Sequence, residues 1–264
     1  MSTRGHDWMR AGTAGALGAE RFLRTHWQRK PLFAASALTE AVQGIVPAMV
    51  RELACRSDVE SRLVQRAGRR WSVEHRPFRS SRLKRLPARG WSLLVQGADL
   101  HLPAARALLD RFDFIPYARQ DDVMLSLSPP GGGVGPHFDS YDVFLVQAHG
   151  RRRWRIGRRR ALELVPTAPL RILKSFRPQR SFTVEPGDVL YLPPRYAHEG
   201  VALTECITCS VGFRAPSRQE LVTSFLQWLP ETLALAGRYR DRDLRCPTHP
   251  AQIARSMADE IEGG

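Results

Sequence analysis

The sequence predicts a mainly β protein with flanking helices, in which an antiparallel double-sheet jelly roll is followed by a short C-terminal helical region. Between residues 123 and 213, short β-forming runs alternate with Gly and Pro. Many short strands at this spacing are typical of a jelly roll. The length of 264 residues and the hydrophobic fraction of 43% allow one large packed β domain with a helical extension.

The part of the chain before residue 123 predicts helices mixed with a few strands. Apolar residues at helical spacing and terminating prolines predict the helices, and a hairpin is predicted at Ala67-Gly68 between two β-forming runs. The predicted helices are residues 20–29, 37–44, 46–55 and 103–111, and the predicted strands are 61–65, 71–75 and 91–96.

The strands of the jelly roll follow in close succession. Glu185-Pro186-Gly187-Asp188 has the composition of a turn between two of them. The predicted strands are residues 123–128, 142–148, 154–157, 182–184, 189–192, 201–203 and 206–213.

The sequence turns helical again after Pro216. Ser217 and Glu220 have the spacing of a capping box, and apolar residues then recur on one side of the predicted helix. A last short helix is predicted over residues 251–261. We therefore expect a disordered N-terminus at residues 1–19, a catalytic domain at 20–215 and a helical region at 216–264.

The chain is strongly basic, with a net charge of +14 that comes almost entirely from arginine. Codon bias in a GC-rich genome explains such enrichment without any function, whereas a partner with phosphates, such as ribosomal RNA, is the functional alternative. No apolar run of about 18 residues is present, so no membrane span is expected. Four cysteines and the lack of a secretory signal favour the reducing cytosol.

Cys206 and Cys209 have the C-x-x-C spacing of zinc and redox sites. They lie in a predicted strand, where residues three apart point to opposite faces, and no second C-x-x-C is present. A buried pair without metal is the expected outcome.

The candidate catalytic centre is His137, Asp139 and His198. His137 and Asp139 are two residues apart, so on an extended chain they project to the same face. His198 follows Pro193-Pro194 on a loop that enters a strand and can fold back beside them. Two imidazoles and one carboxylate are the ligands that hold non-haem Fe(II) on one face and leave room for O₂ opposite.

The residues before His137 strengthen this hypothesis. The run Gly131-Gly132-Gly133-Val134-Gly135 lets the backbone approach a site closely. H-x-D alone is a common chance pattern, and the same ligand types also suit zinc. The remaining histidines lack such a context; they include His75, His101, His149 and His249.

Arg151, Arg152 and Arg153 precede Trp154 on a predicted strand, where alternate residues face inward. An arginine inside a barrel requires an anionic partner, because an unpaired buried charge is costly. A carboxylate suits the guanidinium fork, and the distal carboxylate of 2-oxoglutarate would serve. The pattern alone leaves open which arginine points inward.

A longer series of motifs closely resembles the JmjC-type ribosomal oxygenases, and most closely their bacterial branch, which hydroxylates an arginine of a large-subunit ribosomal protein. The resemblance extends over about residues 22–218. It is carried by the segments 126–139, 141–144, 150–155, 185–188, 193–194, 198–200 and 210–216.

The resemblance implies Fe(II) bound by His137, Asp139 and His198, and 2-oxoglutarate held by Arg152 with help from Ser128. O₂ is then the second cosubstrate, and a ribosomal protein, modified on arginine or histidine, is the substrate. Tyr141 and Asp142 are expected to shape the site. In the family, a helical dimerisation region and a winged-helix domain follow the catalytic domain, so a homodimer is one expectation. In this chain we expect the helical region to be shortened and the winged-helix domain to be absent.

Two rival functions fit the same residues. One is a metal cupin of another reaction class that uses no 2-oxoglutarate, which the inward arginine argues against. The other is a basic jelly-roll module that binds the ribosome or its RNA without catalysis.

Overall fold

The structure is a computed structural model that describes residues 18–68, 70–75, 77–158 and 163–233. The chain divides into two compact units, Met1–Ala215 and Pro216–Gly264. The predicted disordered segment at 1–19 lies almost wholly outside the described residues. The helix predicted at 251–261 lies entirely outside them.

The first unit is built around antiparallel strands, as the sequence predicts. They are β1 (Leu32–Ala34), β2 (Ser61–Ala67), β3 (Arg70–His75), β4 (Trp91–Val95), β5 (Gln120–Ser128), β6 (Asp142–His149), β7 (Arg152–Gly157), β8 (Arg180–Val184), β9 (Val189–Leu192), β10 (Ala197–Ala202) and β11 (Cys206–Phe213).

The strands form two sheets. The larger has eight strands in the order β1-β9-β6-β11-β5-β4-β2-β3, and the smaller has three in the order β10-β7-β8. Strands that are consecutive in the chain often lie in different sheets: β6 and β9 belong to the large sheet, whereas β7 and β8 belong to the small one. This arrangement confirms the predicted double-sheet jelly roll.

Helices flank the sheets of the first unit. They are α1 (Ala19–Thr25), α2 (Pro47–Ala54), α3 (Ser80–Lys84) and α4 (Pro103–Leu109). The second unit contains α5 (Arg218–Thr232). In the second unit, α5 begins with the predicted capping box: Glu220 N donates to Ser217 Oγ at 3.1 Å and Ser217 N donates to Glu220 Oε2 at 2.6 Å. No helix in the described part of the chain combines the length and apolarity that crossing a bilayer requires.

Three local predictions were wrong. Residues 37–44 form turns rather than a helix, and the N–H of Leu38 in this segment bonds to the carbonyl of Gly187 instead of to a helical neighbour. The short elements β1 and α3 were missed. The strand predicted at 201–203 begins earlier, at Ala197, so His198 lies inside a strand and not on the loop before it.

Successive side chains along the strands of the large sheet point to opposite faces and belong to two different hydrophobic clusters. Phe144 and Val146 of β6 pack with residues from α1, α2 and α4 on the outer face. Val143 and Leu145 point the other way and pack against Trp154 of the small sheet. The functional residues described below lie on this inner face, between the two sheets.

A buried polar cluster ties the segment after α1 to the large sheet. Asp142 is fully buried and accepts hydrogen bonds from the Tyr191 hydroxyl at 2.6 Å and from Gln28 Nε2 at 3.0 Å. The Gln28 N–H donates to the Tyr191 oxygen, and Gln28 has a positive φ of 57°. Burial raises the pKa of Asp142, and the two hydrogen bonds act against this rise.

We expect Asp142→Ala to lower the free energy of unfolding by about 3 kcal/mol, because it leaves buried donors on Tyr191 and Gln28 without an acceptor. Asp142→Asn keeps one acceptor oxygen and should lose less. Urea unfolding of the three proteins measures the difference. Equal stability of the alanine variant and the unchanged protein would contradict this role for the cluster.

Candidate active site

The three candidate metal ligands come from two places in the jelly roll. His137 and Asp139 lie on the loop between β5 and β6, and His198 lies on β10 of the small sheet. The two histidines are joined through their backbones: His137 N donates to His198 O at 2.9 Å, and His198 N donates to His137 O at 2.8 Å. This antiparallel bridge places their side chains side by side, with ring centroids 4.2 Å apart.

The donor atoms of this triad converge. One ligand atom from each of His137, Asp139 and His198 lies within 4.8 Å of the others, and His198 Nε2 is 3.5 Å from Asp139 Oδ2. Among the described residues, this is the one group of three or more His, Cys, Asp or Glu side chains with such spacing. The Arg195 N–H donates to the Asp139 carbonyl at 2.6 Å, which anchors the third ligand to the same loop pair.

Hydrogen bonds to carbonyl groups orient both imidazoles. His137 Nδ1 lies 2.9 Å from the carbonyl oxygen of Gly135, and His198 Nδ1 lies 2.9 Å from that of Tyr196. Because a carbonyl oxygen can only accept, each Nδ1 carries the proton and each Nε2 keeps its lone pair. This is the usual second hydrogen bond of a metal-ligating histidine. The donor set therefore fits a divalent metal such as Fe(II).

The environment of His198 also favours ligation. Burial, followed by the charge of His137, lowers the pKa of His198 to about 4, although the nearby Asp139 opposes this shift. The imidazole is consequently neutral at physiological pH, and only the neutral form binds a metal ion.

Arg152 is the arginine that points inward. Its side chain is 3% exposed, whereas its neighbours Arg151 and Arg153 are exposed. Arg152 Nη2 donates to Ser128 Oγ at 2.7 Å and, at the longer distance of 3.4 Å, to Ser126 Oγ. Within the described residues no carboxylate pairs with Arg152, and its Nε has no hydrogen-bond partner. A buried guanidinium without a counter-charge indicates a site for an anion.

A cavity of about 320 Å³ contains both groups, and a volume of this size suits a small molecule. Its wall combines apolar residues of the inner face with the triad, Arg152 and a few hydroxyl side chains. The lining residues are Arg62, Leu94, Gln96, Met124, Ser126, Val134, His137, Phe138, Asp139, Ser140, Tyr141, Val143, Leu145, Arg152, Trp154, Leu170, Arg171, His198, Thr208, Ser210 and Arg214.

The charge of this wall is markedly positive. Among the described residues that line it, Asp139 is the one acidic residue, against four arginines. At the rim, Arg214 pairs with Asp121 at 2.7 Å and lies over the Tyr141 ring at 5.9 Å. Burial raises the pKa of Tyr141, and Asp139 adds to the rise, so this hydroxyl stays neutral. Apart from Asp139, which is a candidate metal ligand, the charged residues of the wall therefore favour the binding of anionic groups.

Several residues of the cavity wall were not predicted from the sequence. Arg62, Leu94, Ser126 and Thr208 are directly paired across β2, β4, β5 and β11, so they form one row on the inner face. Alternation of small polar residues along residues 123–128 was the only sequence signal for such a row.

Two expectations about the site residues need adjustment. Ser128 is fully buried and contacts Arg152, but it is not part of the cavity wall. Tyr141 lines the cavity, whereas Asp142 does not and instead belongs to the buried cluster with Tyr191.

Cys206 and Cys209 are free, buried thiols, and burial raises the pKa of Cys209 to about 12, so it is an unreactive thiol.

Comparison with known proteins agrees with this geometry. Residues 107–221 match the family model of the JmjC domain. This segment of the chain is therefore similar to the JmjC domain. The matched segment contains all three candidate metal ligands as well as Arg152 and Ser128.

Relatives at higher identity are bacterial. The chain is 40% identical over 242 residues to ribosomal protein uL16 3-hydroxylase of Escherichia coli, an alignment that covers 91% of this chain and 64% of the relative. It is also 40% identical over 210 residues to a probable ribosomal oxygenase of Haemophilus influenzae, covering 77% of this chain and 51% of the relative. The chain thus spans less than two thirds of the length of either relative.

Solved structures show the same similarity. A ribosomal oxygenase from Escherichia coli in complex with cobalt and 2-oxoglutarate superposes with a TM-score of 0.76 at 38% identity, over 92% of this chain and 64% of that one. Another crystal structure of the Escherichia coli protein gives a TM-score of 0.80 over 92% and 65% of the two chains.

We expect the close approach of the glycine loop to β10 to be required for the candidate metal site. A Cβ atom at Gly133 would lie 2.3 Å from the carbonyl oxygen of Gly200, two residues beyond His198. We expect Gly133→Ala to force the loop away from β10 and to weaken Co(II) binding by about tenfold or more, because metal affinity depends on how the ligands are held. Titration followed by the visible absorption of bound cobalt measures this change.

Gly131→Asn is the matched control in the same loop. Gly131 has a φ of +77°, which asparagine tolerates, and nothing lies within 4 Å of the point that a Cβ atom would occupy there. Unchanged cobalt affinity in Gly133→Ala would mean that this contact does not position His137.

Proposed function

We propose that residues 20–215 form the catalytic domain of an Fe(II)- and 2-oxoglutarate-dependent hydroxylase that acts on a large-subunit ribosomal protein. The observation that carries the proposal is the presence, in one cavity, of a two-histidine, one-carboxylate triad and a buried arginine without an acidic partner among the described residues. The first suits Fe(II) and the second suits the far end of a dicarboxylate. The names of the bacterial relatives support the substrate class.

Each site residue has a separate task in this proposal. His137 and His198 would provide Nε2 atoms and Asp139 a carboxylate oxygen to the metal, since one donor atom of each lies within 4.8 Å of the others. Arg152 neutralises the distal carboxylate of 2-oxoglutarate, and the Ser128 hydroxyl assists it. Together these residues fix both ends of the cosubstrate.

Bound Fe(II) supplies the activation of O₂, coupled to decarboxylation of 2-oxoglutarate to succinate and CO₂, and one oxygen atom enters a carbon–hydrogen bond of the substrate. The protein contributes orientation and exclusion of water. Val143, Leu145 and Trp154 make the wall beside the triad apolar, which limits the access of water to the reacting atoms.

The finer parts of the proposal rest on the relatives and on chain composition. We assign arginine as the target side chain and the cytoplasm, where ribosomes lie, as the location. Contact with ribosomal RNA stays a prediction that the net charge of +14 supports. A homodimer likewise stays a prediction from the sequence.

The decisive experiment is hydroxylation of a ribosomal protein by the chain under Fe(II), 2-oxoglutarate and O₂. We expect succinate to form together with a mass increase of about 16 Da, one oxygen atom, on the uL16 protein of the same organism. His137→Ala and Asp139→Ala each remove a metal ligand and should abolish both products. Normal succinate formation by either variant would refute the assignment of the triad.

Arg152→Ala should mainly raise the KM for 2-oxoglutarate, because it removes the positive charge at the distal carboxylate and leaves the metal ligands in place. Because a charge-assisted pair of hydrogen bonds is lost, we expect the KM for 2-oxoglutarate to increase by about tenfold or more. Arg153→Ala is the matched control, since Arg153 is the exposed neighbour on the opposite face of β7. An equal KM for 2-oxoglutarate in both variants would mean that Arg152 does not hold the cosubstrate, whereas turnover without any 2-oxoglutarate would favour a metal cupin of another reaction class.

A further inference from the structure

A second arginine of the cavity wall, Arg62 of β2, has few hydrogen-bond partners. Its Nε is buried and has no partner in the described part of the chain. Its Nη2 makes one long contact, a donation to Gln96 Oε1 at 3.4 Å. Among the described residues no carboxylate forms an ion pair with Arg62, although a guanidinium carries several N–H donors. Arg62 therefore brings unused donors to the wall of the cavity.

The amide of Gln96 is held in one orientation. Its Nε2 donates to Asp122 Oδ2 at 3.3 Å, and the Gly97 N–H donates to the same oxygen at 2.8 Å. A flipped amide would set its NH₂ group against the guanidinium of Arg62, which has no acceptor. One amide oxygen is thus the side-chain acceptor that the described residues offer to Arg62.

Arg62 lies away from the position proposed for the distal carboxylate of 2-oxoglutarate. Arg152 contacts Ser126 and Ser128 of β5. Because β4 separates β2 from β5, the backbones at Arg62 and Ser126 are about 10 Å apart. The Arg62 guanidinium meets Gln96, which lies beyond the β4 partner of Ser126 in the direction away from Ser128. A cosubstrate paired with Arg152 therefore leaves the donors of Arg62 to another ligand.

The protein substrate can supply the missing acceptor. A polypeptide that enters the cavity brings a main-chain carbonyl oxygen with every residue. A bond from the guanidinium to such an oxygen would compensate the buried Nε–H. A positive wall attracts no arginine-bearing segment by charge, so a directional bond to an uncharged carbonyl group is the favourable interaction that this cation can offer.

We propose that Arg62 is a specificity-determining residue for the protein substrate: its guanidinium donates to a main-chain carbonyl oxygen of the segment that carries the target side chain. This inference rests on the proposed function. It assigns the β2 and β4 side of the cavity to the substrate polypeptide and the β5 side to the cosubstrate.

The test is the steady-state kinetics of Arg62→Met with the uL16 protein of the same organism as substrate. Methionine keeps an unbranched side chain but has no N–H donor. We expect the KM for uL16 to rise by about tenfold, the effect of a lost hydrogen bond to a charged group. The KM for 2-oxoglutarate and the Co(II) affinity should stay unchanged, because Arg152 and the metal ligands are untouched.

Two further variants complete the test. Arg66→Met is the matched control, since Arg66 is an exposed arginine of the same strand that donates to the Gly68 carbonyl at 2.9 Å and lies outside the cavity wall. It should leave both KM values unchanged. Arg62→Lys keeps the charge but loses the Nε–H and the planar fork, so it should also raise the KM for uL16. It serves if the methionine variant does not fold.

The direction of the change separates hydrogen bonding from charge. If Arg62 merely repelled an arginine-bearing segment, its removal would lower the KM for uL16. A folded Arg62→Met protein with an unchanged or lower KM for uL16, or with an equal rise in the KM for 2-oxoglutarate, would overturn the role of Arg62 and leave the proposed function intact. Failure of the unchanged protein to hydroxylate uL16 and form succinate would overturn both.

Discussion

The site depends on the pair of backbone hydrogen bonds between His137 and His198. These two bonds join the loop before β6 to a strand of the small sheet, and they set the separation of the two imidazoles. Glycine at position 133 lets the loop backbone come this close to β10. Because the bridge uses main-chain atoms, it places the ligands independently of any metal, and the rest of the centre needs only local hydrogen bonds to orient the rings.

The inner face of the large sheet has an apolar part and a polar part. Val143 and Leu145 of β6 pack against the small sheet, whereas Ser126 and Ser128 of β5 face Arg152. The apolar part excludes water from the metal position, and the polar part lowers the cost of holding a buried cation. This division explains how one cavity can accept a metal ion at one end and a carboxylate at the other.

Much of the fold and the triad could be predicted from sequence, because both depend on local patterns: β-forming runs divided by turn residues, and the H-x-D spacing. Features set by long-range pairing could not. His198 is part of a strand because β10 pairs with β7, and residues 37–44 form turns because their backbone bonds to a distant loop. The inward direction of Arg152 was ambiguous for the same reason.

The unpaired charge of Arg152 affects the stability of the folded protein as well as its chemistry. A ligand that binds the native state alone adds to stability in proportion to the logarithm of its concentration. In the proposed function the counter-ion of Arg152 is 2-oxoglutarate, so the stability of the folded state would depend on the supply of that metabolite. Starvation for the keto acid would slow turnover and, at the same time, leave the jelly roll easier to open.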